Sequence, residues 1–184
     1  MRKVTMLRFS HRKTGNCAAI AAYIRASLPA DAVSDFIMDG ESCRACQGCD
    51  YQCLKGEGAC PHQNGVYGDA MNAIMASDLV YFILPNYCGF PCASYFAFNE
   101  RSVGFFHGDK AILESYLAVP KRFIIVSNTK SPFFTEAMQQ QTAVEPEILY
   151  VKSSDYEKKS ICGDILTSEQ ARTDLDTFVR KDIP

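Results

Sequence analysis

Leu79-Val80-Tyr81-Phe82-Ile83-Leu84 is apolar or aromatic at every position. A strand apolar on both faces belongs in the centre of a parallel sheet that is covered by helices on each side. Pro85 directly follows and is expected to stop it. Outward from this run, strand-length apolar segments alternate with amphipathic helical ones. Val4, Met6, Leu7 and Phe9 form a first strand, residues 32–38 a second, Phe123-Ile124-Ile125-Val126 a fourth and Ile148-Leu149-Tyr150-Val151 a fifth. Cys17, Ile20, Ala21, Ile24 and Leu28 recur at helical spacing, and Pro29 ends that helix. Val66, Ala70 and Ile74 share a helical face, and helices are expected over 91–106 and from Pro132 to about Ala143. Ala171, Leu175, Phe178 and Val179 share the face of a last helix, with Thr167 and Gln170 as its capping box. Regular alternation around wholly apolar strands predicts a three-layer α/β/α sandwich on a parallel sheet.

The chain has 184 residues, the size of one α/β domain, so residues 1–184 are read as a single unit. A cysteine-rich loop interrupts it at about 40–65. Lys plus Arg number 19 and Asp plus Glu 21, for a net charge of −2. That balance offers no general attraction to nucleic acid or to an anionic membrane surface, so neither is expected as a partner. Hydrophobic residues make up 47%, enough for a core and too many for a disordered chain. No apolar run reaches the roughly 18–20 residues needed to span a bilayer. The N-terminal stretch lacks the apolar core and small-residue cleavage site of a secretory signal, and a cytoplasmic location is expected.

Ligands of such sheets sit at the carboxyl ends of the strands, near the point where strand order reverses. The loops after strands one, three and four are therefore the candidate site. The first, Ser10-His11-Arg12-Lys13-Thr14-Gly15-Asn16-Cys17, supplies hydroxyls, a glycine, cations and the amides of a helix N-terminus. Those are the parts of a phosphate cradle, and also of an ordinary capped turn. It is neither a G-x-x-x-x-G-K-[ST] loop nor a G-x-G-x-x-G turn, which disfavours a dinucleotide fingerprint. The second, Pro85-Asn86-Tyr87-Cys88-Gly89-Phe90-Pro91, is stiff and carries two flat aromatic faces. It suits a planar ligand, or packs on its own sheet. The third, Ser127-Asn128-Thr129-Lys130, is polar and borders the same crevice.

In these loops the chain resembles the flavodoxin-like NAD(P)H-dependent FMN reductases, in particular their iron–sulfur flavoprotein branch. The resemblance covers roughly residues 3–106. It rests on Ser10 to Cys17, the cysteine run, Asp69-Ala70-Met71, Ser77-Asp78, Pro85-Asn86-Tyr87 and Glu100-Arg101. It implies a five-stranded parallel sheet in the order 2-1-3-4-5. It also implies that Ser10, Arg12, Thr14, Gly15, Asn16 and Cys17 hold the phosphate of FMN. Pro85, Asn86, Tyr87, Cys88 and Gly89, with Ser127 and Asn128, would border the ribityl chain and ring. Cys17 stands where a hydroxyl residue is usual in the family, and Leu84-Pro85-Asn86 replaces the commoner Ser-Pro-Val type. The implied activity is electron transfer from NAD(P)H through the flavin to a small-molecule acceptor or an electron carrier, in a homodimer or homotetramer.

Five of the nine cysteines, Cys43, Cys46, Cys49, Cys53 and Cys60, fall within one short stretch. Without a secretory signal, such crowding points to metal or redox chemistry rather than a disulfide framework. The C-x2-C-x2-C spacing of Cys43, Cys46 and Cys49 suits three thiolates of a [4Fe–4S] cluster. Cys60 is preferred as the fourth ligand, because the resemblance places its last cysteine just before the next helix; Cys53 is the alternative. Four thiolates also satisfy zinc, and free thiols without metal are the plain reading. Cys88 and Cys92 flank the second loop, as a redox pair or as small buried apolar groups. Glu100 and Arg101 are read as ion contacts, and His107 as a helix cap. Two other functions remain open: a flavodoxin-like electron-transfer protein without a nicotinamide site, and a metal-stabilised scaffold whose flavin pocket has decayed.

Overall fold

The computed structural model describes residues 2–28, 33–56, 60–128 and 132–181. Along the chain lie β1 (Val4–Arg8), α1 (Asn16–Ser27), β2 (Val33–Ile37), α2 (Gln52–Lys55) and α3 (Val66–Met75). There follow β3 (Leu79–Tyr87), β4 (Phe90–Pro91), α4 (Ala93–Phe106), α5 (Lys110–Ala118) and β5 (Lys121–Ser127). The chain continues through α6 (Pro132–Gln139), β6 (Glu147–Lys152) and α7 (Glu169–Arg180). Five strands form a parallel sheet in the order β2-β1-β3-β5-β6, with β4 paired antiparallel to the end of β3. Leaving β4 aside, this is the expected 2-1-3-4-5 order, with the wholly apolar run in the middle.

The sheet divides two cores. Leu7, Val80, Phe82, Leu84, Phe123 and Ile125 face α3, α4, α5 and α6, where Phe9, Phe82 and Phe98 pack ring against ring. Val4, Met6, Tyr81, Ile83 and Ile124 face α1 and α7. Residues Leu79 to Leu84 are 0–3% exposed, so both faces of β3 are sealed as their composition demands. Among the described residues no helix is long and apolar enough to cross a membrane.

Three local expectations are corrected. Pro85 does not stop β3, which runs on to Tyr87 with Pro85 opposite Val126 of β5. The backbone of Ile83 points at β1, since its carbonyl accepts from Phe9 N at 2.9 Å. Pro85, two residues on, therefore turns its missing N–H toward the same side, where β1 has already ended at Arg8. A proline there leaves no ladder bond unmade. The helix expected over 91–106 begins only at Ala93, because Pro91 pairs with Asn86 in β4. The last helix is capped by Ser168, whose side chain accepts from Ala171 N, and not by Thr167, whose hydroxyl donates to Asp164 O. Pro29, Ala32, Thr129 and Lys130 lie outside the described residues.

Two elements escaped the sequence pattern. Helix α2 is a single turn inside the cysteine loop. Helix α5 is held at its start by Asp109, whose carboxylate accepts from Ala111 N and Ile112 N. Two buried basic side chains on β5 then close helix ends. Lys121 Nζ donates to Tyr116 O and Val119 O at the end of α5. The Arg122 guanidinium donates to Val179 O and Lys181 O at the end of α7.

Candidate functional site

At the carboxyl ends of β1, β3 and β5 the three expected loops meet around one cavity of about 110 Å³. Ser10, Arg12, Gly15, Asn16, Cys17, Pro85, Asn86, Tyr87, Ser127 and Asn128 line it. Thr14, Cys88 and Gly89 do not. Val126, Ser160 and Ile161 line it as well and were not foreseen, because the resemblance fades before the C-terminal third of the chain.

The floor of the cavity is the start of α1. Its N-cap is Gly15 and no side chain caps the first turn, so the leading amides of a twelve-residue helix face the cavity without a side-chain acceptor. A Cβ on Gly15 would lie 3.2 Å from Arg12 Cβ, a tight contact that Arg12 would have to yield to by a few tenths of an ångström. Arg12 N approaches Ser10 Oγ at 3.4 Å and curls the loop inward. Beneath it, Arg8 shares the strand face of Val4 and Met6, which pack on α1. Its Nε is buried with no hydrogen-bond partner. Such an orphaned cationic donor, with Arg12 and the uncapped amides, is the arrangement an anion satisfies. Burial pushes the Cys17 thiol up to about 12, with Cys92 adding to the rise; Arg8 and a hydrogen bond with Ser10 oppose it. Cys17 is therefore uncharged at neutral pH and does not repel an anion beside it.

The β3–β4 hairpin forms the opposite wall. Its two-residue turn is Cys88-Gly89, with φ of 53° and 89°, the left-handed pair that matches the twist of the strands. Asn86 anchors it: Oδ1 accepts from Gly89 N at 2.8 Å and Nδ2 donates to Ser127 Oγ at 2.6 Å. Cys88 and Gly89 thus form the turn of this hairpin wall and do not line the cavity. Outside the cavity, Tyr87, Phe90 and Phe133 are each about half exposed, and Phe90 stacks on Phe133 at 4.9 Å. The cavity, about 110 Å³, is small. Pockets that enclose a whole small molecule run to roughly 300–1,000 Å³. This one admits a phosphoryl group and the start of a polyol chain. A flat ring system would lie above it, beside the aromatic rim. The residues present thus fit FMN.

The cysteine loop is a separate site. Cys46, Cys49, Cys53 and Cys60 line an apolar cavity of about 240 Å³, together with Tyr51, Leu54 and Val103. Cys43 is not part of this wall. It is 1% exposed and belongs to the core beneath α3 and α4, where burial pushes its thiol up to about 12. Cys53 takes the place that the spacing gave to Cys43. Both Cys53 and Cys60 close on Gly104 of α4: a Cβ there would lie 3.3 Å from Cys60 Sγ and 3.8 Å from Cys53 Sγ. Glu100 and Arg101 hold the loop to α4. Glu100 Oε2 accepts from Cys46 N, and Arg101 donates to His62 O while lying over the Tyr67 ring at 4.1 Å. Among the described residues no three His, Cys, Asp or Glu side chains are gathered at metal-binding separation. The cysteines as arranged do not fit a cluster or zinc, and all nine are free thiols. His107 caps the C-terminus of α4, as expected. Cys92 is buried and approaches Phe9 O at 3.3 Å, while Cys88 is exposed on the turn.

No family model matches the chain, and no curated protein matches it in sequence. Solved structures do match. The Trp repressor binding protein from Bacillus subtilis superposes with a TM-score of 0.62 at 12% identity, over 99% of this chain and 100% of that one. FerB, a flavoenzyme NAD(P)H:(acceptor) oxidoreductase from Paracoccus denitrificans, gives 0.59 at 13% identity, over 97% and 96%. A Fusobacterium nucleatum flavodoxin bound to flavin mononucleotide gives 0.50 at 12%, over 98% and 96%. Identities this low speak for architecture alone, and the architecture they share with this chain, end to end, is the flavodoxin-like fold.

Proposed function

We propose that the chain is an FMN-dependent oxidoreductase that passes electrons from NAD(P)H through bound flavin to a small acceptor or an electron carrier. One observation carries this reading: a phosphate-sized cavity at the carboxyl ends of β1, β3 and β5, floored by an uncapped helix N-terminus, with the Arg8 charge behind the wall acting on the lining residue Cys17. The likeness in fold to a flavoenzyme oxidoreductase and to a flavodoxin with bound FMN adds support. Bound flavin would supply the redox chemistry itself. The chain's own residues bind and orient. Ser10, Arg12 and the first amides of α1 hold the phosphate end. Asn86 and Ser127 stiffen the wall along the polyol, and Tyr87 and Phe90 flank the ring. The reaction requires no side-chain nucleophile or general base.

The test is a visible spectrum of the protein purified without air, followed by NADPH. Flavin absorption that bleaches rapidly with NADPH is the expected result. Flavin that stays oxidised with NADPH but is reduced by dithionite would leave an electron-transfer protein without a nicotinamide site. Protein that stays colourless with added FMN would overturn the reading. Among the described residues, the four thiols on the wall of the second cavity are not gathered to hold a metal, and the second centre is left out of this reading. Iron and zinc analysis of the same sample is expected to find neither metal at stoichiometric amounts.

A further inference from the structure

The cysteine loop does not gather its thiols for a metal, but it brings two of them to one place on α4. Cys53 lies in the single turn of α2, and Cys60 in the segment that leads into α3. Both side chains close on Gly104. A Cβ on this glycine would stand 3.0 Å from Cys60 Cβ, 3.3 Å from Cys60 Sγ and 3.8 Å from Cys53 Sγ. The two sulfurs thus border the same small space, the one that a side chain at position 104 would fill. Cys46 and Cys49 line the same cavity, but neither comes as close to that space. Glycine weakens a helix, and Gly104 is a buried position within α4. What it leaves is room for the two thiols. Local bonds hold the approach. Gln63 N donates to Cys60 O at 3.1 Å, and Gln63 Nε2 donates to Gly104 O at 3.2 Å. Cys60 is therefore tied to the turn of α4 that carries Gly104, and Arg101 adds a bond to His62 O beside it.

We propose that Cys53 and Cys60 are a reversible dithiol–disulfide pair, a modification site whose oxidant is a low-molecular-weight disulfide. The proposal stands apart from the flavin reading. Cys60 is partly exposed and Cys53 is buried, so Cys60 meets the oxidant first. As a thiolate it attacks one sulfur of the small disulfide, which leaves a mixed disulfide on Cys60 and releases one small thiolate. Cys53, as a thiolate, then attacks the Cys60 sulfur. The Cys53–Cys60 bond forms, and the second small thiolate leaves. The two protons of the protein thiols end on the two released thiols. The protein is oxidised by two electrons and the small disulfide is reduced by two. Excess small thiol reverses both steps. The second step needs the two sulfurs to meet, and the space over Gly104 is where they do.

The experiment exposes the full chain, reduced and then freed of reductant, to glutathione disulfide. Remaining thiols are blocked by alkylation in acid, and disulfides are located by tandem mass spectrometry. The expected product carries a Cys53–Cys60 cross-link as its main intramolecular disulfide, and excess reduced glutathione removes it. Cys53→Ser is expected to stop at the first step, with glutathione on Cys60 at least about fivefold above wild type. Gly104→Ala fills the shared space and is expected to lower the cross-link yield at least about fivefold. A wild-type cross-link confined to other cysteines overturns the proposal. So does a wild type in which Cys53 and Cys60 stay free or carry only glutathione, and so does iron or zinc bound to these thiols in the protein as purified. A folded Gly104→Ala protein that cross-links as readily as wild type overturns the placement of the pair over Gly104. The wild-type map decides the proposal by itself if that variant does not fold. Flavin enters none of these readouts, so failure of the thiol pair and failure of the flavin reading are distinguishable.

Discussion

Cys17 shows how one residue type reads differently in a sequence and in its surroundings. A thiol replaces the hydroxyl usual at this position of the resembled family, and on residue type alone it removes a donor. In place it is buried in the first turn of α1, in the core that packs on the sheet, held protonated by desolvation and within reach of Ser10. It packs as a small apolar group, and in the proposed reading the anion would be held by Ser10, Arg12 and the helix amides. Cys88 presents the converse case. Its side chain is exposed, and its backbone sits at φ 53°, a conformation that favours Gly, Asn and Asp. For a cysteine the left-handed region is unfavourable by roughly 1 kcal/mol. Cys88→Asn converts the turn into Asn-Gly, the pair best suited to a two-residue hairpin of this type. We expect the variant to gain about 0.5–1 kcal/mol in urea unfolding. A loss of stability would show that the Cys88 side chain holds the hairpin in a way its exposure does not suggest.

Helices and strands were legible to different depths, and burial explains the difference. The central strands announce themselves because both faces are sealed, which forces an unbroken apolar run. Helices α1, α3 and α7 each bury three or more side chains at helical spacing and were readable for the same reason. Helix α5 buries only Tyr116, so its nine residues carry almost no periodic signal. What fixes it is local: Asp109 accepts from two amides at its start, and the buried Lys121 closes its end. The segment 160–165, which lies against the loop after β1, was beyond reach altogether. It has no period, and its bonds to Arg12 and Asn16 join residues 144 to 149 positions apart. Because α5 depends on its cap more than on burial, Asp109→Ala is expected to lower stability by about 1 kcal/mol. It should leave flavin binding unchanged, since α5 lies on the sheet face away from α1. Chemical denaturation with FMN titration on the same variant checks both halves of that statement.

At the scale of the whole molecule, a parallel sheet sealed on both sides must receive whatever its strand ends carry, and β5 begins with Lys121 and Arg122. Arg122 meets Glu147 at 3.3 Å as well as the end of α7. Lys121 has carbonyl acceptors and the Tyr116 ring at 4.2 Å, and burial pushes its ammonium down to about 7 from 10.5. Between pH 7 and 10.5 the unfolded chain therefore holds a proton on Lys121 that the folded chain has given up. Where the unfolded state binds more protons, stability rises with pH. Cys17 and Cys43 act in the opposite sense. Burial raises each from 9.0 to about 12, so their contribution is present below pH 9 and is lost as pH climbs through 9 toward 12. Together these groups set a stability maximum close to pH 9, above the neutral range usual for globular proteins. From pH 7 to 9 the unfolding free energy is expected to increase by roughly 1 kcal/mol per pH unit, and to decline beyond. Lys121→Met keeps the apolar stem and removes the proton, so it should flatten the rising limb and leave the alkaline decline intact. Urea unfolding of both proteins at pH 6, 7, 8, 9 and 10 reads this directly. A wild-type curve already flat between pH 7 and 9 would mean that Lys121 keeps its charge in the fold, held by the carbonyls of Tyr116 and Val119 rather than discharged by burial.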